Sequence, residues 1–148
     1  MGSGAQYGSR TVTLTGTSPT SATTTAGTQQ IDIGRSAQRI QLLASTLGAT
    51  GGSLDLFVQT TDTPNTEASW VDFAHFDTIS AAAAAAKQLL STTKQSQEQP
   101  PLVIGASTTP LLDPGIVPGG WKRYLRLCFK ANASTSAGAA QSVEVKLS

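Results

Sequence analysis

Trp121-Lys122-Arg123-Tyr124-Leu125-Arg126-Leu127-Cys128-Phe129-Lys130, launched from the turn Pro118-Gly119-Gly120, decides how this chain is read. Leu125, Leu127 and Phe129 fall on one side of a period-two element, and Tyr124, Arg126, Cys128 and Lys130 on the other. One face is then apolar and the opposite one polar and basic, which predicts a half-buried strand. A second alternating run, Val143-Glu144-Val145-Lys146-Leu147, follows a break of small residues. Together the two runs predict an antiparallel hairpin with a long loop.

Upstream, Ser53-Leu54-Asp55-Leu56-Phe57-Val58-Gln59 alternates in the same way, and Asp62-Thr63-Pro64-Asn65 follows it as a loop signal. Residues 70–79, rich in aromatic and β-branched side chains, are its expected partner in a meander. Thr11-Val12-Thr13-Leu14-Thr15 reads as the first strand, closed by Gly16-Thr17-Ser18-Pro19. Residues 20–25 read as a weak edge strand that Gly27 separates from a short element ending at Ile33. Residues 38–47 carry Ile40, Leu42 and Ala44 on one face and Leu43 and Leu47 on the other, which predicts a central strand covered on both sides.

Six alanines at 81–86 have the highest helix propensity in the chain, but a helix this short is marginal alone. A short helical or irregular connection into a strand at 87–91 is expected. Residues 93–120 hold five of the seven prolines, which excludes a central strand there apart from Leu102-Val103-Ile104. A proline-stiffened excursion of that length is usually contact-making. With about eight short strands, the expected fold is all-β: an antiparallel β-sandwich of jelly-roll or Greek-key type, with room for a short helix near the poly-alanine run. The expected organisation is a flexible N-terminal arm over 1–10 and one sandwich domain over 11–148.

The 148 residues carry ten Lys and Arg against nine Asp and Glu, a formal charge of +1. No global field draws in nucleic acid or an anionic membrane, and no apolar run reaches membrane-spanning length. Recognition by shape is expected. Charged residues make up 13% of the chain and Ser and Thr supply much of the polarity, as on a surface covered by neighbours.

Candidate chemistry is thin. His75 is the single histidine and has no second His or paired carboxylates at ligand spacing, so a strand role is expected. Asp55, Asp62, Asp72 and Asp77 lie on or beside adjacent strands, where acid-base pairing competes with the commoner role of strand-end carboxylates. Cys128, alone, forms no internal disulfide and reads as a small strand residue. The glycine clusters at 48–52 and 118–120 lack the endings of phosphate loops and read as turns. Trp70 and Trp121, with Tyr124, present either an exposed platform for sugar stacking or, the favoured reading, caps on the sandwich core. Lys122, Arg123, Arg126 and Lys130 form a basic ribbon that needs no role beyond solvated or interface charge. No enzymatic activity, cofactor or metal is expected.

The series Leu54-Asp55-Leu56-Phe57-Val58-Gln59-Thr60-Thr61-Asp62, then Trp70-Val71-Asp72-Phe73, Phe76 and Ile79-Ser80-Ala81, and finally Arg123-Tyr124-Leu125-Arg126-Leu127, resembles small β-sandwich structural proteins of tailed bacteriophage virions. The likeness spans about residues 38–147, and its late strand is also similar to that of discoidin-like sandwiches. The poly-alanine insert and the proline-rich excursion depart from the phage pattern. The resemblance implies a virion component of the capsid decoration or cement type, made in the host cytoplasm, which binds the major capsid protein or another virion protein. It further implies a homo-oligomer or symmetric array, with neither nucleic acid nor membrane as partner. Arm and loop are the expected contact segments, through Tyr7, Arg10, Pro101, Pro110, Leu111 and Pro114. The competing expectation is a carbohydrate-binding or adhesin-type sandwich, tail-associated or secreted, that uses Trp70, Trp121 or Tyr124.

Overall fold

The alternating rows of the sequence meet across one interior. The computed structural model describes residues 10–17, 24–46, 53–79, 86–95, 103–132 and 140–148. Among these the strands are β1 Arg10–Thr17, β2 Thr24–Asp32, β3 Arg39–Thr46, β4 Ser53–Thr61, β5 Val71–His75, β6 Ala86–Thr93, β7 Gly115–Ile116, β8 Tyr124–Asn132 and β9 Ala140–Leu147, with a 3-10 turn at Glu67–Ser69. They form two antiparallel sheets, ordered β1-β9-β3-β6 and β2-β8-β4-β5-β7. The chain changes sheet from β1 to β2, β2 to β3, β3 to β4, β5 to β6, β6 to β7 and β8 to β9, which is the doubled Greek key of a jelly roll. The expected antiparallel sandwich is the fold.

Inward rows fill the space between the sheets. Leu14 of β1, Ile40 and Leu42 of β3, and Val143 and Val145 of β9 face Leu54, Leu56 and Val58 of β4, Phe73 of β5, and Leu125, Leu127 and Phe129 of β8, all of them buried. Each such side chain contributes on the order of 1.5–3 kcal/mol by leaving water. Gly16 continues the inward row of β1, and its missing Cβ leaves room for the Phe129 ring, which a Cβ would meet at 2.7 Å.

Several local expectations change. Strands β8 and β9 are consecutive but lie in opposite sheets, so they are not a hairpin; β9 sits between β1 and β3. A half-buried alternating strand looks the same whether its neighbour pairs beside it or faces it across the core. Strand β3 is central, but its outward row is less covered than its inward one: Gln41 and Leu43 are half-buried and Arg39 and Ser45 exposed among the described residues. The two weak elements expected before residue 33 are the single edge strand β2. Its register slips between Ala26 and Gln30, so that Gly27, Thr28 and Gln29 stand opposite Leu127. No strand forms at Val103 and Ile104, which are exposed in the excursion. The arm expected over 1–10 meets the sheet at its last residue, since Arg10 pairs with Leu147 in β1; residues 1–9 lie outside the described residues. So do 81–85, where a short helix was allowed, and Ala86 opens β6 as that region leads into the expected strand.

Two glutamines stitch the corners of the sandwich. Gln29 accepts from Thr15 N at 2.6 Å and donates to Thr13 O at 3.4 Å, joining the bulge of β2 to the edge of β1. Gln88 of β6 accepts from Asp77 N at 2.7 Å and donates to Asp77 O at 3.1 Å, joining the other sheet just beyond β5.

Candidate functional site

The second face of β8 is not open to solvent. Arg126 is 2% exposed and Cys128 is fully buried, as are Phe57 and Gln59 beside them on β4. The proline-rich excursion folds back over the outer surface of β4 and β5, while Glu67 and Trp70 of the β4–β5 connection cover Arg126 of β8, which gives the sheet a second, smaller buried layer. A basic row on a strand was read as solvated because periodicity reports only which side chains share a face, not what lies over them.

Asp72 holds the excursion down. The residue is 2% exposed on β5. Its Oδ2 accepts from Gly105 N at 2.8 Å, Leu111 N at 2.9 Å and Leu112 N at 3.0 Å, while Oδ1 accepts from Gln59 Nε2 at 3.1 Å. A buried carboxylate is tolerated where donors replace its water, and these peptide groups belong to a loop that has no ladder of its own. The Asp72 N–H in turn donates to Gly105 O.

Gln59 relays this cluster to a cation. Its Oε1 accepts from Arg126 Nε at 3.1 Å and Nη2 at 3.0 Å, and the same guanidinium grips both oxygens of Glu67 at 3.1 and 2.6 Å. Arg126 also lies 4.5 Å over the Trp70 ring, a cation–π contact in a place shielded from water. The Arg126 bond holds the Glu67 carboxyl below the usual carboxylate range against a smaller opposing effect of burial, and Ser107 Oγ adds a bond at 2.9 Å. This contribution to stability is present above the ordinary Glu range and is lost as pH falls through the lowered value.

The excursion turns sharply at residues 106–109, where Thr109 N donates to Ala106 O. Ser107 sits there at φ 56°, in the left-handed region. Three contacts fix it: its N–H donates to Trp70 O, its carbonyl accepts from Gln59, and its hydroxyl donates to Glu67. Gly105 packs against the returning arm so closely that a Cβ would stand 2.1 Å from Thr109 O and 2.4 Å from Leu111 N. The two arms therefore lie side by side, and they display apolar side chains outward: Val103 is 70% exposed, Ile104 40% and Leu111 55%. Three of the four exposed large hydrophobic residues among those described lie on this one loop, the fourth being Leu89 of β6.

The expected contact residues separate accordingly. Leu111 and Pro114 are exposed on the excursion, Pro110 is buried beneath it, and Arg10 is exposed at the start of β1. Tyr7 and Pro101 lie outside the described residues. Val103 and Ile104 were missed because an apolar tripeptide among prolines reads as a buried strand.

The remaining candidates have structural partners. His75 Nδ1 donates to Leu112 O at 2.7 Å, its ring stacks on Phe57 at 3.9 Å, and Nε2 stands 3.5 Å from Asp55 Oδ1. Asp55 accepts from Thr78 Oγ1, and Asp62 pairs with Arg35. The four aspartates do not converge: Asp72 and Asp55 serve different contacts, and Asp77 is exposed. Among the described residues no group of three or more His, Cys, Asp or Glu side chains is placed to hold a metal. Both tryptophans are buried, Trp121 as the expected cap on the core and Trp70 outside the core cluster beneath Arg126, and Lys94 covers the Trp121 ring at 4.0 Å, so neither offers a free face for a sugar. The basic ribbon disperses: Arg126 is buried on Glu67, Arg123 pairs with Asp32 at 2.8 Å, and Lys122 and Lys130 are exposed.

Burial pushes the Cys128 thiol up to about 11. A thiol reagent at pH 8 is expected to leave the native chain unmodified and to titrate one thiol after denaturation, because the thiolate is the reactive form. Full reaction of the native protein within minutes is the result that contradicts this.

The molecule is an antiparallel jelly-roll sandwich whose outer sheet face carries a clamped, apolar-tipped loop. No protein family matches the chain, and no curated protein does. Among solved structures it is similar to a protein of the disulfide-linked pili that form Bacillus endospore appendages, at 7% identity over 95% of this chain and 86% of that one, with a TM-score of 0.43. It is also similar to a chain of infectious bursal disease virus, Gx strain, at 9% identity over 94% of this chain and 32% of that one, again with a TM-score of 0.43. This chain spans about a third of the length of the viral one.

Proposed function

We propose that this chain is a non-enzymatic structural protein of the virion, which binds and stabilises a bacteriophage capsid in the manner of a decoration or cement protein. The observation that carries the binding role is the apolar tip of Val103, Ile104 and Leu111 on a loop that Asp72 fixes from below. Large exposed apolar side chains gathered on one rigidly supported loop mark a contact site, since little ordering entropy is lost when a partner covers them. The assignment to a phage particle rests on the resemblance of residues 54–62, 70–81 and 123–127. The partner is the major capsid protein or another virion protein. Repeated attachment across a symmetric shell adds avidity, and a ligand that binds the closed shell alone raises its stability by mass action.

Co-sedimentation with purified capsids tests the proposal. The chain is expected to pellet stoichiometrically and to raise the temperature at which the shells open. Leu111→Glu combined with Val103→Glu, folded by near-ultraviolet circular dichroism, is expected to weaken attachment by at least about 30-fold, the scale of an interface hot spot. A chain that stays in the supernatant whenever capsids are present overturns the reading.

A further inference from the structure

We infer that β6 is a docking strand, which pairs antiparallel with β6 of a second copy about a two-fold axis at Leu89. The four sheet edges are β1, β6, β2 and β7. An edge strand offers unpaired peptide groups to any extended chain, and three of these four are guarded. Gln29 fills the position of a neighbouring strand on β1, the irregularity between Ala26 and Gln30 breaks the register of β2, and β7 is two residues long. Strand β6 runs eight residues against β3 without a register shift.

The ladder fixes which groups face outward. Arg39 N donates to Ser148 O, just past β9, and Ser148 N donates back to Arg39 O, both at 3.0 Å, so the peptide groups of Arg39 turn away from β6. Alternation then turns those of Ile40, Leu42 and Ala44 toward β6, where they meet Thr92, Leu90 and Gln88. The N–H and C=O groups of Lys87, Leu89 and Ser91 therefore point away from β3, and among the described residues nothing bonds to them on that side. A cleft of about 410 Å³ opens alongside Ser91, Thr92 and Thr93, with Ile116 and Pro118 among its walls. Successive strand residues point to opposite faces, so a cleft that touches all three meets the strand side-on, where a pairing strand lies.

The residues of β6 suit a copy of itself. Leu89 is 60% exposed and stands beside Leu43 of β3. With the axis at Leu89, that apolar row continues into the partner's Leu89 and the partner's Leu43, and side chains set directly opposite leave water together. Lys87 is the single charged residue of β6 and falls opposite the partner's Ser91, whereas an axis at Lys87 would set like charges face to face. Lys87 with the partner's Ser91, Leu89 with the partner's Leu89, and Ser91 with the partner's Lys87 each exchange both backbone bonds. Two sheets of four strands become one of eight. Because Gln29 fills β1, this two-fold contact closes on itself and does not propagate into a fibre. The edge belongs to the sheet opposite the one that carries the apolar loop, so the contact is separate from capsid attachment.

Sedimentation equilibrium of the full chain, from about 1 μM to about 1 mM, tests the pairing. The mass is expected to rise from one copy toward two and to stop there. Leu89→Lys, at an exposed position, is expected to weaken association at least about tenfold, because it sets like charges on the axis. Mild oxidation reads the register. In Leu89→Cys the two thiols face each other from Cα atoms about 5.5 Å apart, within disulfide reach, and a covalent dimer is expected on a non-reducing gel. In Lys87→Cys they are offset along the strands by about 13 Å, and no such dimer is expected in the same time. Cys128 is buried and takes no part. A chain that sediments as one copy throughout, a mass that climbs past two, or a covalent dimer that forms as fast in Lys87→Cys as in Leu89→Cys overturns the inference.

Discussion

Asp72→Ala is expected to cost about 3–5 kcal/mol of folding stability, equivalent to about 6–20 °C in the unfolding midpoint of a chain this size. Among the described residues the side chain is the one acceptor for the N–H groups of Gly105, Leu111 and Leu112. Truncation leaves the buried Gly105 and Leu112 donors and the part-buried Leu111 donor without their acceptor and takes one of two acceptors from the Gln59 amide, which keeps Ser107 O; each buried donor without an acceptor costs about 1–3 kcal/mol. It also removes the negative charge that faces Arg126 through Gln59. The loss is expected to be local before it is global: hydrogen exchange at residues 105, 111 and 112 should accelerate under conditions where β3 and β9 remain protected. Asp72→Asn should fall between, since one oxygen still accepts while the amide nitrogen confronts donors. A change below 1 kcal/mol in Asp72→Ala, measured by chemical denaturation, contradicts the clamp.

Gly105→Ala should be comparably severe although it adds a single methyl group. Its Cβ would stand 2.1 Å from Thr109 O, 2.4 Å from Leu111 N and 2.6 Å from the Pro110 Cα, all backbone atoms that no rotamer change can move aside. The arms of the excursion must part, which pulls Gly105 N and Leu111 N away from Asp72 together. A loss of about 3–5 kcal/mol is expected, as when a buried polar cluster is broken. Because both substitutions release the same clamp, Gly105→Ala combined with Asp72→Ala should lose less than the two single losses added, by at least about 1 kcal/mol. Strict additivity in a denaturation cycle would show that the glycine acts through something else. On the proposed function, both single variants should also bind capsids more weakly, because the apolar tip loses its fixed support.

The inner layer was legible because alternation is a direct consequence of pleating. Leu125, Leu127 and Phe129, and likewise Leu54, Leu56 and Val58, face the core as the sequence implies. The burial of both tryptophans follows from their size. The outer layer was not legible: nothing in Tyr124, Arg126, Cys128 and Lys130 says that Glu67 and Trp70 of the β4–β5 connection cover Arg126, or that a distant, proline-rich segment is clamped over β4 and β5 beside it. Asp72 looked like one more strand carboxylate. Its role depends on peptide N–H groups 33 to 40 residues further along the chain, and backbone donors leave no mark in a sequence. The excursion did carry a hint, since a stretch with five prolines can offer a sheet no more than a short edge piece, here β7, and must be held largely by side chains instead.

The corner glutamines bear on how such a molecule joins others. A primary amide offers the same donor and acceptor as a peptide group, so Gln29 occupies Thr13 O and Thr15 N much as a neighbouring strand would. A flat edge of eight residues rich in threonine is otherwise an open invitation to a foreign chain. With that docking position already filled from within, sheet extension along β1 must first evict a side chain. Crowding many copies onto one surface then carries less risk of fusing them edge to edge.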